Sequence, residues 1–372
     1  MPALSLAPTL SLLAALQRVS PVRPLRTFLR AAEEKRHPSH ALPHAPAVRA
    51  AQDRVLAAGA GPHQAATLLR EAGRGALPTI VLGGFVPDAT EQVFLLRHFL
   101  LRSGDVYYFN YPCHGFSLDL LCAQLDDLVA ELAERRGQTP VLFSVSFGSG
   151  LLLEWLARRR RAGSPPVLAG TVLVSPVACT ADLVHPAAAK PATLLGRALQ
   201  PYLAATATAE AADGAIERSR TIFARMFEAG AQNKAGLAGL MTAGELAQLH
   251  AAVMATIRGI SGAGARERVR ALQAMTAPPG YFAPGLLPLS PAPALVLYAE
   301  REEAVLEAGS PTRFAFTTAL PAYFPHGRLQ RIGNPFGPPV QHASLIFHVF
   351  EFLPALSGFY HRLKSGKLRH AA

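Results

Sequence analysis

Between residues 77 and 174 short apolar runs alternate strictly with amphipathic stretches, and this alternation limits the possible folds more than any other feature of the chain. Residues 78–82, 106–111, 141–144 and 170–174 read as strands, while 90–102, 118–135 and 147–161 read as helices. The 3.6-residue apolar spacing of the helical stretches, with Phe94, Leu95, Phe99 and Leu100 on one face, separates them from the continuous apolar runs of buried strands. Parallel neighbours need crossovers long enough to hold a helix, so the pattern predicts an α/β fold with a mostly parallel central sheet flanked by helices. In such sheets ligands bind beyond the carboxyl ends of the strands.

The alternation is interrupted once. Residues 184–289 are Ala-rich and helical in character, notably 215–229 and 243–257, and read as an inserted helical cap. Strand signals resume at 292–298 and 328–332, followed by an amphipathic helix over 343–356. The core is therefore expected at 77–183 and 290–363, preceded by an extension at 1–76 that is partly helical and has no strand signal. A disordered basic tail is expected at 364–372.

The chain has 372 residues, enough for a large core, and half of them are hydrophobic while 16% are charged. Apolar runs are broken by Gly, Pro or Arg before they reach membrane-spanning length. Residues 1–16 are apolar but contain prolines, lack a basic leading region and are followed by Arg18, Arg23, Arg26 and Arg30, which argues against a secretion signal. Such a segment can rest on a membrane surface or pack on the protein body, and the sequence leaves both open. The net charge of +11 comes mainly from scattered arginines. The densest run, Arg158 to Arg161, closes a predicted helix, where cations meet the negative end of its dipole; no nucleic-acid partner is expected. Cys113, Cys122 and Cys179 have neither metal-type nor disulfide-framework spacing and read as reduced thiols of a cytoplasmic protein.

The chemistry centres on Val141-Leu142-Phe143-Ser144-Val145-Ser146-Phe147-Gly148-Ser149-Gly150, a strand passing through small residues directly into a helix. A serine on such a turn is lifted clear of its neighbours, and small residues two positions away let the strand and helix backbones approach. The free amide of Phe147 at the helix start can stabilise an oxyanion forming beside Ser146.

The chain from 77 to 362, cap excluded, resembles the α/β-hydrolase family in the order and spacing of several motifs. Gly83-Gly84-Phe85 lies where the family places its oxyanion turn, with Gly83 in place of the usual His. The resemblance implies an amide of Phe85 or Gly84 as second oxyanion donor. Asn110-Tyr111-Pro112-Cys113-His114-Gly115-Phe116-Ser117 resembles the segment after the fourth strand, with Asn110 and Cys113 departing from the pattern; in the family it shapes the site without taking part in chemistry. Glu302 falls where the family has its acid, after the apolar run 295–298, with Glu303, Glu300 and Asp182 as alternatives. Gln341-His342-Ala343-Ser344-Leu345 is similar to the family motif that supplies the base, at the start of the closing helix. His326 precedes the last strand, and His348 reads as a packing histidine.

The resemblance thus implies a serine hydrolase in which Ser146 attacks an ester or thioester, His342 moves the proton and Glu302 orients His342, with no metal or organic cofactor. Phe223, Met226, Phe227, Met241, Met254 and Met275 in the cap fit a hydrophobic acyl or aromatic substrate, and fit a cap core better. An acyltransferase on the same residues, or an inactive binding or scaffold protein, are the other readings. The second is encouraged by Ser144, Gly83 and Glu302 standing where the family has Gly, His and Asp. Oligomeric state is not readable.

Overall fold

The computed structural model describes residues 41–188, 190–203, 208–231, 237, 241–282 and 285–366. Its centre is an eight-stranded sheet in the order β1-β2-β4-β3-β5-β6-β7-β8. The strands are β1 (Leu42–Pro43), β2 (Thr67–Glu71), β3 (Thr79–Leu82), β4 (Val106–Asn110), β5 (Val141–Val145), β6 (Gly170–Val174), β7 (Ala294–Ala299) and β8 (Gly327–Ile332). From β4 to β8 all neighbours are parallel, whereas β1 and β2 run antiparallel. β3, β5, β6 and β7 are buried along their whole length, as continuous apolar runs require when helices cover both faces.

Helices α1 (Ala50–Ala57), α2 (Ala89–Gln92), α3 (Arg97–Leu101), α4 (Leu118–Arg136), α5 (Phe147–Arg161), α10 (Pro311–Tyr323) and α11 (Val349–Lys364) belong to this core. Between β6 and β7 lie α6 (Leu194–Leu203), α7 (Ala209–Gly230), α8 (Ala243–Gly259) and α9 (Gly262–Ala274). No helix among the described residues is long and apolar enough to cross a membrane. The segment before 41, with its apolar and basic stretches, and most of the basic tail fall outside the described residues.

The fold differs from the sequence expectation in four places. Residues 41–71 carry two strands rather than none: Thr67 to Glu71 pair residue by residue with Asn110 to Val106 of β4. The segment is held by one polar stripe of α4. Gln124 bonds both the amide and the carbonyl of Ala66 (3.0 and 2.8 Å), Asp127 caps the amides of Ala51 and Gln52 (2.9 and 3.0 Å), and Glu131 accepts from the amide of Ala47 at 2.7 Å. These positions, three and four residues apart, share a helix face. The helix expected over 90–102 is two short helices. α10, with Pro311 at its first position and Pro321 inside, has no counterpart in the sequence reading. The last helix starts at Val349, so His342 lies in the loop before it.

Arg158 to Arg161 all make intramolecular contacts. Arg158 pairs with Glu154 and Asp119, Arg159 and Arg160 donate to the carbonyls of Ser164 and Pro288, and Arg161 donates to Thr276.

Candidate active site

The site lies at the carboxyl ends of β3, β5, β6 and β7, where a parallel sheet leaves its strands and the loops diverge. Ser146 stands between β5 and α5 with φ 50° and ψ −115°, outside the regions an L-residue prefers, at a cost of about 1–3 kcal/mol. Its neighbours over-determine the turn: its amide donates to Val174 (2.8 Å), and its carbonyl accepts from Ser149 (2.9 Å) and Val177 (3.1 Å). A Cβ at position 148 would lie 2.3 Å from the carbonyl oxygen of Gly83, so only glycine permits this approach of α5 to β3. Ser144, in place of the usual glycine, is fully buried and satisfied; its hydroxyl donates to Val172 at 3.0 Å and lies 3.1 Å from that of Ser149.

His342 Nε2 lies 2.9 Å from Ser146 Oγ, and His342 Nδ1 is hydrogen-bonded to Glu302 Oε2. A carboxylate only accepts, so Nδ1 carries the proton and Nε2 is left to accept from the Ser146 hydroxyl. Glu302 is buried, and its other oxygen accepts from Ser175 Oγ (2.7 Å) and the amide of Ala299 (2.6 Å). The amide of Arg301 donates to Val340 at 2.9 Å, tying together the residues that lead into Glu302 and His342. Ser175 Oγ also accepts from the amide of Ala343 at 3.2 Å. Among the described residues the non-glycine positions with positive φ are Ser146, Ser175 and Ala343, and all three sit in this network. Backbone strain of this kind concentrates where a site is held in a fixed geometry.

The alternative carboxylates lie elsewhere. Glu300 accepts from the amide of Asn334, and exposed Glu303 pairs with Arg301. Asp182 is completely buried and accepts from the amides of Ala178, Cys179 and Thr312 and the hydroxyls of Ser310 and Thr312. It joins the loop after β6 to the start of α10. His348 is a packing histidine whose ring reaches Ser344 Oγ and the Pro338 carbonyl; burial lowers its pKa. No group of three or more His, Cys, Asp or Glu residues among those described is arranged to hold a metal ion.

Beside Ser146 the turn 83–85 is pinned by side chains. Tyr111 donates its hydroxyl to the Gly83 carbonyl (2.9 Å), the Gly84 amide donates to Gln92 Oε1 (2.7 Å), and Arg268 donates to the Phe85 carbonyl. Gly84 is thereby engaged, which leaves the Phe85 amide as the candidate donor from this turn. Phe147 is the first residue of α5, so its amide has no partner within the helix. Gln92, Arg268 and Ser175 went unnoticed in the sequence, and Tyr111 entered only as part of the segment 110–117 expected to shape the site, because each works through a long-range contact that spacing does not reveal.

A cavity of about 120 Å³ opens on Ser146 and His342. Its apolar walls come from Phe223, Met226 and Phe227 of α7, Ile257 of α8, Leu195 of α6 and Phe347; Gln92, Gln341 and Ser344 add polar groups, and none of the described lining residues carries a formal charge. Of the cap residues expected at a substrate site, Phe223, Met226 and Phe227 line the cavity, while Met241 and Met275 pack in the core and partly buried Met254 packs against it.

No family model matches the chain, and no curated protein matches it by sequence. Solved structures do match its fold. An esterase, RhEst1, from Rhodococcus sp. ECU1013 is similar with a TM-score of 0.51 and 16% identity, covering 80% of this chain and 96% of its own. MenH from S. aureus has a TM-score of 0.51 and 14% identity over 80% of this chain and 98% of its own. The chain has the α/β-hydrolase fold. A bromoperoxidase from Bacillus anthracis shares this fold with a TM-score of 0.51 and 15% identity over 79% of this chain and 95% of its own. Across the α/β-hydrolase fold chemistry differs, so the fold alone does not set the activity of this chain.

Proposed function

We propose that this protein is a serine hydrolase that cleaves esters or thioesters of short, uncharged acyl groups through a Ser146-His342-Glu302 triad. The observation that carries the reading is the continuous hydrogen-bonded chain from Ser146 Oγ through both ring nitrogens of His342 to buried Glu302. A serine hydroxyl becomes nucleophilic when a base in reach removes its proton, and the carboxylate holds the imidazole in the required tautomer and stabilises its charge.

Ser146 Oγ attacks the carbonyl carbon as His342 Nε2 takes the hydroxyl proton. The resulting oxyanion is met by the amides of Phe147 and Phe85. Collapse expels the alcohol or thiol, which takes the proton from His342 and leaves Ser146 acylated. A water deprotonated by His342 then attacks the acyl-enzyme, releasing the carboxylic acid and restoring Ser146.

The cavity supports the choice of substrate. It is smaller than the roughly 150 Å³ apolar cavity that accommodates benzene and well below the roughly 300–1,000 Å³ of drug-sized sites, and its described lining residues offer no charged partner to a charged acyl group. Among nitrophenyl esters of increasing chain length, kcat/KM is expected to be highest for acyl groups of about two to six carbons and to fall at least about tenfold for palmitate. A flat profile, or a maximum at long chains, contradicts the short-acyl reading while leaving the triad standing.

A further inference from the structure

We propose that Arg268, on cap helix α9, is a positioning residue that sets the oxyanion hole, so that docking of the cap completes the catalytic geometry of the core. This rests on the serine-hydrolase reading.

Peptide units are planar, and each has only soft rotations on either side. The unit joining Gly83 to Gly84 is held at both ends, its carbonyl by Tyr111 and its amide by Gln92. The unit that begins with the Phe85 carbonyl is held by Arg268. Between them lies the unit carrying the Phe85 amide, the hydrogen-bond donor that has to face the oxyanion. With both neighbours immobilised, the one freedom left to it is a rotation about the line joining the Cα atoms of Gly84 and Phe85, and the Cβ of Phe85, whose φ is not positive, restricts that rotation. Tyr111 and Gln92 belong to the core, whereas Arg268 belongs to the cap.

Arg268 is itself rigidly set. It is buried, donates also to the carbonyls of Tyr111 (3.3 Å) and Pro112 (3.2 Å), and stands over the rings of Phe85 and Tyr111 at 5.6 and 5.4 Å. The planar guanidinium alone among side chains can bond several carbonyls while stacking on aromatic faces. Burial lowers its pKa, opposed by the charge of Asp88. Burial also drives the Tyr111 phenol up, so it remains a donor. Adjacent Glu267 accepts from the Phe116 amide at 2.5 Å, and Ser261, just before α9, bonds the Cys113 carbonyl through its amide (2.9 Å) and hydroxyl (3.0 Å). The first half of α9 is thus clamped to the loops after β3 and β4. Position 83, where the family has His, is glycine, and a Cβ there would lie 2.9 Å from the Ala89 amide nitrogen. Arg268 enters this turn from outside the core.

The test compares wild type, Arg268→Lys and Arg268→Met for kcat and KM on a short nitrophenyl ester, melting temperature, and affinity for an alkyl boronic acid, whose adduct with serine mimics the tetrahedral intermediate. A misplaced oxyanion donor is expected to lower kcat about 10- to 100-fold. KM should stay within about threefold, and boronate affinity should fall in step with kcat/KM. Arg268→Lys, which keeps the cation but bonds fewer carbonyls, should fall between. If Arg268→Met does not fold, the lysine variant decides. A folded variant with unchanged kcat, or one whose loss is confined to KM, overturns the proposal. Failure of wild type to react with a fluorophosphonate instead overturns the hydrolase reading, and the proposal with it.

Discussion

Glu302→Gln is expected to lower kcat by about 10³- to 10⁴-fold with KM and melting temperature nearly unchanged. Glu302 places one oxygen on His342 Nδ1 and the other on Ser175 Oγ and the Ala299 amide. Glutamine has the same shape, but one end of its amide is a donor. If that end faces His342, the imidazole turns to the wrong tautomer and Nε2 no longer accepts from Ser146; if it faces the Ala299 amide, two donors are opposed. Either way the negative charge that stabilises the imidazolium is gone. Glu300→Gln and Glu303→Gln, whose carboxylates serve Asn334 and Arg301, should each stay within about threefold of wild type. Equal losses from all three variants would mean that the acid has been misassigned. Steady-state kinetics on a short nitrophenyl ester make the comparison.

The second large effect is on stability. Asp182 has no exposed surface and takes five hydrogen bonds from two separate segments, the loop after β6 and the first turn of α10. Asp182→Ala leaves three backbone amides and two hydroxyls without that acceptor, at roughly 1–3 kcal/mol for each buried group that finds no other partner. Some will rebond, so a net destabilisation of about 3–5 kcal/mol is expected. It should lower the melting temperature on the order of 10 °C. Asp182→Asn recovers only part of this, because its amide must point at donors. Differential scanning calorimetry of the two variants measures the effect. A shift of less than about 2 °C in Asp182→Ala would mean that these contacts contribute little. Activity should survive in whatever fraction remains folded, which separates this carboxylate from Glu302.

How far the sequence alone reaches depends on the range of the interaction. Strands β3, β5, β6 and β7 were legible because burial on both faces leaves continuous apolar runs, and the Ser146 turn because its geometry excludes side chains at Gly148. β2 was hidden: Thr67-Leu68-Leu69-Arg70-Glu71 lies near the sheet edge with mixed burial, and its two leucines continue a helical spacing that begins upstream. α10 was masked by Pro311 and Pro321, which in isolation mark ends or breaks of helices. At the site, Glu302 could be placed only to within a cluster of carboxylates, because the choice rests on which one faces His342. Ser175, Gln92 and Arg268 gave no local signal. Their roles exist only once residues distant in sequence meet, as when Arg268 reaches Phe85 from 183 residues away.

The role of Ser146 as nucleophile is tested most directly by reaction of the purified protein with a fluorophosphonate probe, beside Ser146→Ala and His342→Ala. Wild type is expected to be labelled stoichiometrically on Ser146, Ser146→Ala not at all, and His342→Ala at a rate reduced by about 10³-fold or more. A folded wild type that does not react, or one labelled equally well without Ser146, would contradict that role.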